Sequence, residues 1–282
     1  VRWLEVSVTA PAEQAEAAGA VLLRAVPAGL VEQPRRRGAV TLQVYLPAGR
    51  GGPGAVAAVR RALRRAAPAA RLAARVRDDR AWVRRWMARA RPVVAGRVVV
   101  VPSWWRGPLP AGRAVVRLDP GLAFGSGEHA TTRLCLEALG RYVAAGCAVI
   151  DVGTGSGVLA IAAARLGARR VVATDSDPIA VRVARANAAA NGVAARVRVR
   201  CTWGLGGVRL RADLIVANLT APAVAALAPS AARRLVPRGR LVVTGFTAAS
   251  VPGVAQALRA AGLRVTAVAR RRNWRAIHAV RP

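Results

Sequence analysis

V-I-D-V-G-T-G-S-G-V-L-A-I-A-A-A-R-L-G, running from Val149 to Gly167, decides how the rest of the chain is read. An apolar run ends in Asp151, glycines follow at alternate positions 153, 155 and 157, and an apolar repeat at helical spacing begins with Val158. That order predicts a strand, a tight turn and a helix. Glycine adopts positive φ without steric cost, and its missing Cβ lets a ligand lie against the backbone. Such a turn at the carboxyl end of a strand predicts a site for a nucleotide-like ligand in an α/β fold.

The spacing is not that of the dinucleotide fingerprint. G-x-G-x-x-G needs its third glycine three places after the second, whereas Gly157 comes two after Gly155. D-x-G-x-G-x-G instead resembles the first motif of the S-adenosylmethionine-dependent methyltransferases, whose cofactor has no pyrophosphate for a helix N-terminus to hold. A glycine-rich turn in another α/β protein is the plain alternative.

A chain of 282 residues suggests one or two domains with a substantial core, and 54% hydrophobic residues exclude disorder. The formal charge of +32 points to nucleic acid or a membrane surface. All 45 basic residues are arginine, however, and alanine, glycine and valine abound, a composition that GC-rich coding produces as readily as selection for a basic surface. Nonspecific RNA or ribosome contact is therefore left open. Cys135, Cys147 and Cys201 are odd in number and lack metal-ligand spacing, so they are expected to be buried small residues, with no disulfide framework and no metal site. No amino-terminal signal pattern is visible. The uncharged stretch Leu214 to Ala232 is interrupted by Asn218, Pro222 and Pro229, and reads as strand, loop and core helix rather than a membrane span. A soluble, cytoplasmic protein is expected.

Outward from the glycine turn, residues 1–77 read as a small α/β unit. Strands are expected over Arg2–Thr9, Val40–Leu46 and around Leu72–Val76, with helices over Pro11–Leu23 and Ala55–Ala66, a ferredoxin-like arrangement. Residues 78–91 hold Trp82 and Trp86 one helical turn apart and read as a connecting helix. Residues 92–282 then form the main domain. Strands are expected over Pro92–Pro102 and Arg113–Leu118, followed by a second glycine-rich loop, D-P-G-L-A-F-G-S-G-E-H-A-T-T from Asp119 to Thr132. Thr131 or Thr132 is expected to cap the next helix. His129, one of two histidines, stands in that loop, where a structural role and a site role are equally open.

Here the resemblance becomes specific. F-G-S-G-E-H-A-T-T, then R-L-C-L-E-A-L, then D-V-G-T-G-S-G-V-L-A-I-A-A resemble the PrmA family, the methyltransferases of large-subunit ribosomal protein L11. The likeness runs upstream through the W-x-x-x-W helix and V-V-V-V-P-S-W at Val98–Trp104, and downstream to A-N-A-x-x-N-G at Ala186–Gly192 and beyond. It implies a Rossmann-like class I methyltransferase domain with a seven-stranded mixed sheet, preceded by a small ferredoxin-like domain that recognises the substrate protein. It implies S-adenosyl-L-methionine as cofactor and lysine or N-terminal amines of L11 as acceptors. Phe124, Gly125 and Thr131, with Asp151, Gly153, Thr154, Gly155 and Gly157, would line the cofactor. Asp175, at the end of the strand Val171–Thr174, would accept hydrogen bonds from the ribose hydroxyls, while Asp177 before Pro178 suits a helix cap. Asn218, ending A-D-L-I-V-A-N-L, would touch the cofactor and orient the amine, with Ser126 and His129 shaping the transfer pocket. Leu219, Thr220 and Ala221 replace the P-P-[YFW] that follows this residue in nucleic-acid adenine methyltransferases, which disfavours that class. Asn218 as a simple turn residue remains the alternative. Cys201, Thr202 and Trp203 lie where the family would hold adenine, without its usual polar residue. His278 is expected to be structural. The competing readings are a lysine methyltransferase of another protein, an RNA methyltransferase, and a non-catalytic ribosome-associated RNA-binding protein.

Overall fold

The structure, a computed structural model, describes residues 2–25, 31–34, 39–47, 52–78, 91–118 and 129–282. The tryptophan pair of the expected connecting helix, and Phe124, Gly125 and Ser126, lie outside the described residues. The chain divides into two compact units, Val1–Ala90 and Arg91–Pro282.

The first unit runs β1 (Arg2–Pro11), α1 (Ala15–Ala25), β2 (Val31–Pro34), β3 (Ala39–Pro47), α2 (Gly52–Ala66) and β4 (Arg71–Asp78). Its antiparallel sheet has the order β2-β3-β1-β4, and β-α-β-β-α-β with that order is the ferredoxin-like topology. Val6, Val8 and Ala10 alternate along β1 toward a core shared with Ala18 and Leu22 of α1 and Val59 and Leu63 of α2. β2 was not expected from the sequence. V-E-Q-P is short and ends in proline, so only its pairing with β3 makes it a strand.

The second unit opens with a small sheet of β5 (Val93–Ala95), β6 (Val98–Pro102) and β7 (Ala114–Leu118). The single strand expected over Pro92–Pro102 is two, because the chain turns at Gly96 and β5 pairs back on β6. There follow α3 (Ala130–Tyr142), β8 (Ala148–Val152), α4 (Val158–Arg165), β9 (Arg170–Asp175), α5 (Pro178–Ala190) and β10 (Val197–Cys201). The chain then continues through β11 (Ala212–Asn218), α6 (Ala221–Arg234), β12 (Leu235–Thr247), α7 (Val251–Ala260), β13 (Arg264–Arg271) and β14 (Trp274–Val280).

These strands form one seven-stranded sheet, ordered β10-β9-β8-β11-β12-β14-β13. The first five are parallel, and β14 and β13 pair antiparallel at the far end. One core lies under α3, α4 and α5 and another under α6 and α7, so both faces of the central strands are covered and their sequences are mostly apolar. Every residue of α4 from Val158 to Ala164 is buried, the alanines letting the helix lie close to the sheet. β9 and β10 build away from β8 on one side and β11 on the other. This reversal opens a crevice at the carboxyl ends of β8 and β11, where α/β sheets bind ligands.

The cysteines depart from expectation. Only Cys135 is buried; Cys147 is half-buried, and Cys201 is exposed because β10 is an edge strand with neighbours on one side alone. Among the described residues, no helix is long and apolar enough to cross a membrane, and no cluster of three His, Cys, Asp or Glu is placed to hold a metal.

Candidate active site

Strand register assembles the site. Val152 pairs with Thr174 and with Ala217, Cys201 with Asp175, and Asn218 with Thr244, so the residues after β8, β9, β10 and β11 emerge along one edge.

The turn after β8 has Gly153, Gly155 and Gly157 at φ 73°, 54° and 84°. The Thr174 carbonyl accepts the N–H groups of both Gly153 and Thr154 at 2.9 Å, which pins the turn to β9. Asp151 is fully buried beneath it. Its Oδ2 accepts the Thr154 hydroxyl at 2.6 Å and the Ala160 N–H at 3.1 Å, joining the strand, the turn and the first coil of α4. Oδ1 has no hydrogen-bond partner among the described residues. Burial raises this carboxyl to about 7, against the opposing hydrogen bonds from Thr154 and Ala160 and with a further push from Asp175. Asp151 therefore braces the turn from below.

Asp175 is half-buried at the end of β9. One carboxylate oxygen accepts the Gly155 N–H at 2.9 Å and the other the Asp177 N–H at 3.0 Å. A carboxylate has about four lone-pair directions, so each oxygen keeps capacity for a ligand hydroxyl. Asp177 caps α5 through the Ile179 N–H at 2.8 Å, as the sequence predicts. The strip after β10 follows Asp175, the Thr202 N–H donating to the Asp175 carbonyl at 2.8 Å, and ends in Trp203, which is 71% exposed.

Two asparagines of A-N-A-x-x-N-G support the turn from the side of α5. The buried Asn187 amide donates to the Ser156 carbonyl at 2.8 Å, holding the turn from α5. Asn191 donates to the carbonyls of Asn187 and Arg117 and accepts the Arg117 N–H at 2.8 Å, tying α5 to β7. Asparagines four apart, one in the last turn of a helix and one at its C-cap, were the available signal.

Asn218 is half-buried, and its side chain makes no hydrogen bond to the described residues. The next peptide is anchored, the Leu219 N–H donating to the Thr244 carbonyl at 2.8 Å.

His129 settles the helix start. Neither Thr131 nor Thr132 caps α3, as had been expected; both are buried in its first turn, and His129 is the N-cap. Its Nδ1 lies 2.7 Å from the Thr131 hydroxyl and faces the Thr131 N–H, presenting an acceptor where an Asn or Asp cap would place its oxygen. The ring stands edge-on to Trp274 with centroids 4.9 Å apart. Trp274 pairs with Thr247, so this contact brings His129 and Thr131 to the same edge as Asn218. Burial, with Arg272 nearby, lowers His129 to about 4. The imidazole is therefore neutral at physiological pH, and its Nδ1 is committed to the helix. His278 lies toward the opposite end of β14, buried, with Nδ1 2.9 Å from the Tyr142 hydroxyl, the structural placement expected of it.

The family model described as ribosomal protein L11 methyltransferase (PrmA) matches residues 2–282. A ribosomal protein L11 methyltransferase of Pelotomaculum thermopropionicum is 49% identical over 213 residues, 75% of this chain and 69% of the relative. One from Symbiobacterium thermophilum is 44% identical over 206 residues, 73% of this chain and 67% of the relative. The crystal structure of a ribosomal protein L11 methylase from Lactobacillus delbrueckii subsp. bulgaricus is similar at a TM-score of 0.63 and 34% identity, covering 67% of this chain and 98% of that one.

Proposed function

The chain belongs to the ribosomal protein L11 methyltransferase (PrmA) family, and from that premise we propose how its own residues carry the reaction. It is an S-adenosylmethionine-dependent methyltransferase acting on ribosomal protein L11.

The site suits that cofactor. Gly153, Gly155 and Gly157 turn the backbone tightly at positive φ, Asp175 keeps lone pairs for a diol, and Asp151 Oδ1 has no partner among the described residues. When bound, S-adenosylmethionine supplies an electrophilic methyl group on a sulfonium. Asp175 would hold the ribose, the turn from Gly153 to Gly157 would pass beside the methionine part, and Thr154 and Asp151 keep the turn rigid. Phe124 and Gly125 would contact the cofactor and Ser126 would help shape the transfer pocket, by the family resemblance; all three lie outside the described residues.

The acceptors are amines, lysine side chains or the N-terminus. The carbonyl of Asn218 accepts an N–H of the neutral amine and aims its lone pair, so that positioning supplies most of the rate. His129 is not the general base. An imidazole lowered to about 4 is a weak proton acceptor at neutral pH, and its Nδ1 already caps α3. The amine therefore loses its proton to solvent before it is seated.

The observation that carries this reading is the in-register edge that sets Asp175, with lone pairs to spare, and Asn218, its amide bonded to none of the described residues, on either side of the glycine turn. Residues 1–77 would recognise L11 and residues 92–282 carry the transfer, in the cytoplasm; Asp78, expected to open a connecting helix, instead ends β4. A subsidiary RNA contact is favoured by α2, where Arg60, Arg61, Arg64 and Arg65 are all exposed and no acidic residue occurs. Transfer of labelled methyl from S-adenosylmethionine to free L11 and to ribosomal RNA, offered in parallel with mass-spectrometric mapping, tests the whole. Label on L11 amines is expected; label on RNA alone would overturn the reading.

A further inference from the structure

Asn218 makes no side-chain hydrogen bond to the described residues, and what they do to hold it acts through the backbone that carries it. That backbone is wedged. β12 shifts register between Thr244 and Phe246, and Gly245 sits in the shift at φ 108°. A Cβ there would fall 2.2 Å from the carbonyl oxygen of Leu219, 2.7 Å from its carbonyl carbon and 2.9 Å from its nitrogen. Three backbone atoms of one residue thus lie flush on Gly245, with no flexible side chain to give way. The bulge is itself anchored, the Thr244 hydroxyl donating to the Arg275 carbonyl at 2.6 Å.

The other side of Leu219 faces the cofactor turn. A Cβ on Gly153 would stand 2.5 Å from Leu219 Cδ2, so the leucine side chain rests directly on that glycine. Leu219 spans the distance between two bare Cα positions, its peptide on Gly245 and its side chain on Gly153.

We propose that the stack Gly153–Leu219–Gly245 is a spacer that sets the Asn218 amide relative to the cofactor turn, making Leu219 and Gly245 positioning residues for methyl transfer. The proposal rests on the amine-orienting reading of Asn218. An in-line displacement tolerates little misalignment, and an error of about 1 Å costs roughly 100-fold in rate. Truncating Leu219 or adding a Cβ at Gly245 should therefore lower turnover without removing any group that touches the reacting atoms.

The experiment uses the full chain with L11 and S-adenosylmethionine, measuring kcat, KM for L11 and, by calorimetry, cofactor affinity. Leu219→Ala should lower kcat about tenfold and Gly245→Ala about 100-fold, with cofactor affinity held within about twofold in Leu219→Ala. Leu219→Met, which still reaches Gly153, should keep most of the turnover. Combined with Asn218→Ala, either change should cost less than about twofold more, since the aim being disturbed is already lost. Should Gly245→Ala not fold, the leucine series stands alone. An unchanged kcat in Leu219→Ala, or a loss that multiplies in full with Asn218→Ala, overturns the spacer. An unchanged kcat in Asn218→Ala alone instead overturns the amine-orienting reading, and the spacer with it.

Discussion

The two sides of the crevice are built in opposite ways. On the β8–β9 side the polar groups are largely committed to the protein: Asp151 to Thr154 and Ala160, Asp175 to Gly155 and Asp177, and Asn187 to Ser156. On the β11–β12 side the amide of Asn218 makes no hydrogen bond to the described residues, and the residue after it, Leu219, is held by its backbone hydrogen bond to Thr244 and by close packing on glycine. A cofactor that presents the same atoms at every turnover suits a rigid, presatisfied cradle. An acceptor group that arrives and leaves suits a free amide on a fixed backbone.

The largest effect separating the two sides is expected from Asn218→Ala. Its kcat should fall about 100-fold, about 3 kcal/mol of barrier, while cofactor affinity measured by calorimetry stays unchanged. A loss of affinity instead would erase the division. Asp175→Ala is the mirror experiment: cofactor dissociation should rise about 30-fold, about 2 kcal/mol, with kcat at saturating cofactor nearly kept.

Asp151→Asn sharpens the account of the cradle through its sign. Asparagine keeps a carbonyl for Thr154 and Ala160 but carries no charge. Because burial raises the native carboxyl from its ordinary 3.8 to about 7, the native state binds more protons than the unfolded chain between those values. The wild type is thus penalised increasingly as pH rises through that window. The melting temperature of Asp151→Asn relative to wild type should accordingly climb between pH 5 and pH 8, by the equivalent of about 1–2 kcal/mol. A constant difference across that range would mean that Asp151 is not held in a low-dielectric site.

The smallest effect belongs to His129. His129→Ala should cost about 1 kcal/mol of stability as a lost helix cap, and His129→Asn should recover most of it. A native value of about 4, below the ordinary 6.5, makes the contribution of His129 complete above the ordinary value and lost as pH falls toward 4. Thermal melts of wild type from pH 7 to pH 5 should show that decline, and His129→Asn should flatten it. Equal slopes would place the acid sensitivity elsewhere.

Legibility in the sequence followed the range of the interaction. The strand, turn and helix around Asp151, the cap at Asp177 before Pro178, and the strand ending at Asn218 are each written within a few neighbouring residues. What escaped depends on distant partners. β2 is a strand because β3 lies beside it. His129 was visible, but its capping role was assigned to the threonines that follow, since a histidine cap is uncommon and the Trp274 ring against it is remote in sequence. Gly245 left a trace, an isolated glycine within the apolar run L-V-V-T-G-F, which marks a bulge or a close backbone approach. The approaching partner, Leu219, could not be named from that trace.

By itself, then, the sequence determined the element types, the glycine turn with its family, and the residues that end β8, β9 and β11, because dihedral preference and hydrophobic period are local properties. Tertiary structure alone decided which polar groups remain available. Asp151 and Thr154 turn inward to brace the turn, each oxygen of Asp175 accepts one backbone N–H, and Asn218, bonded to none of the described residues through its amide, precedes a peptide wedged on Gly245. Hydrogen-bond capacity is spent on whichever groups packing brings within about 3 Å, and no local pattern records that distance.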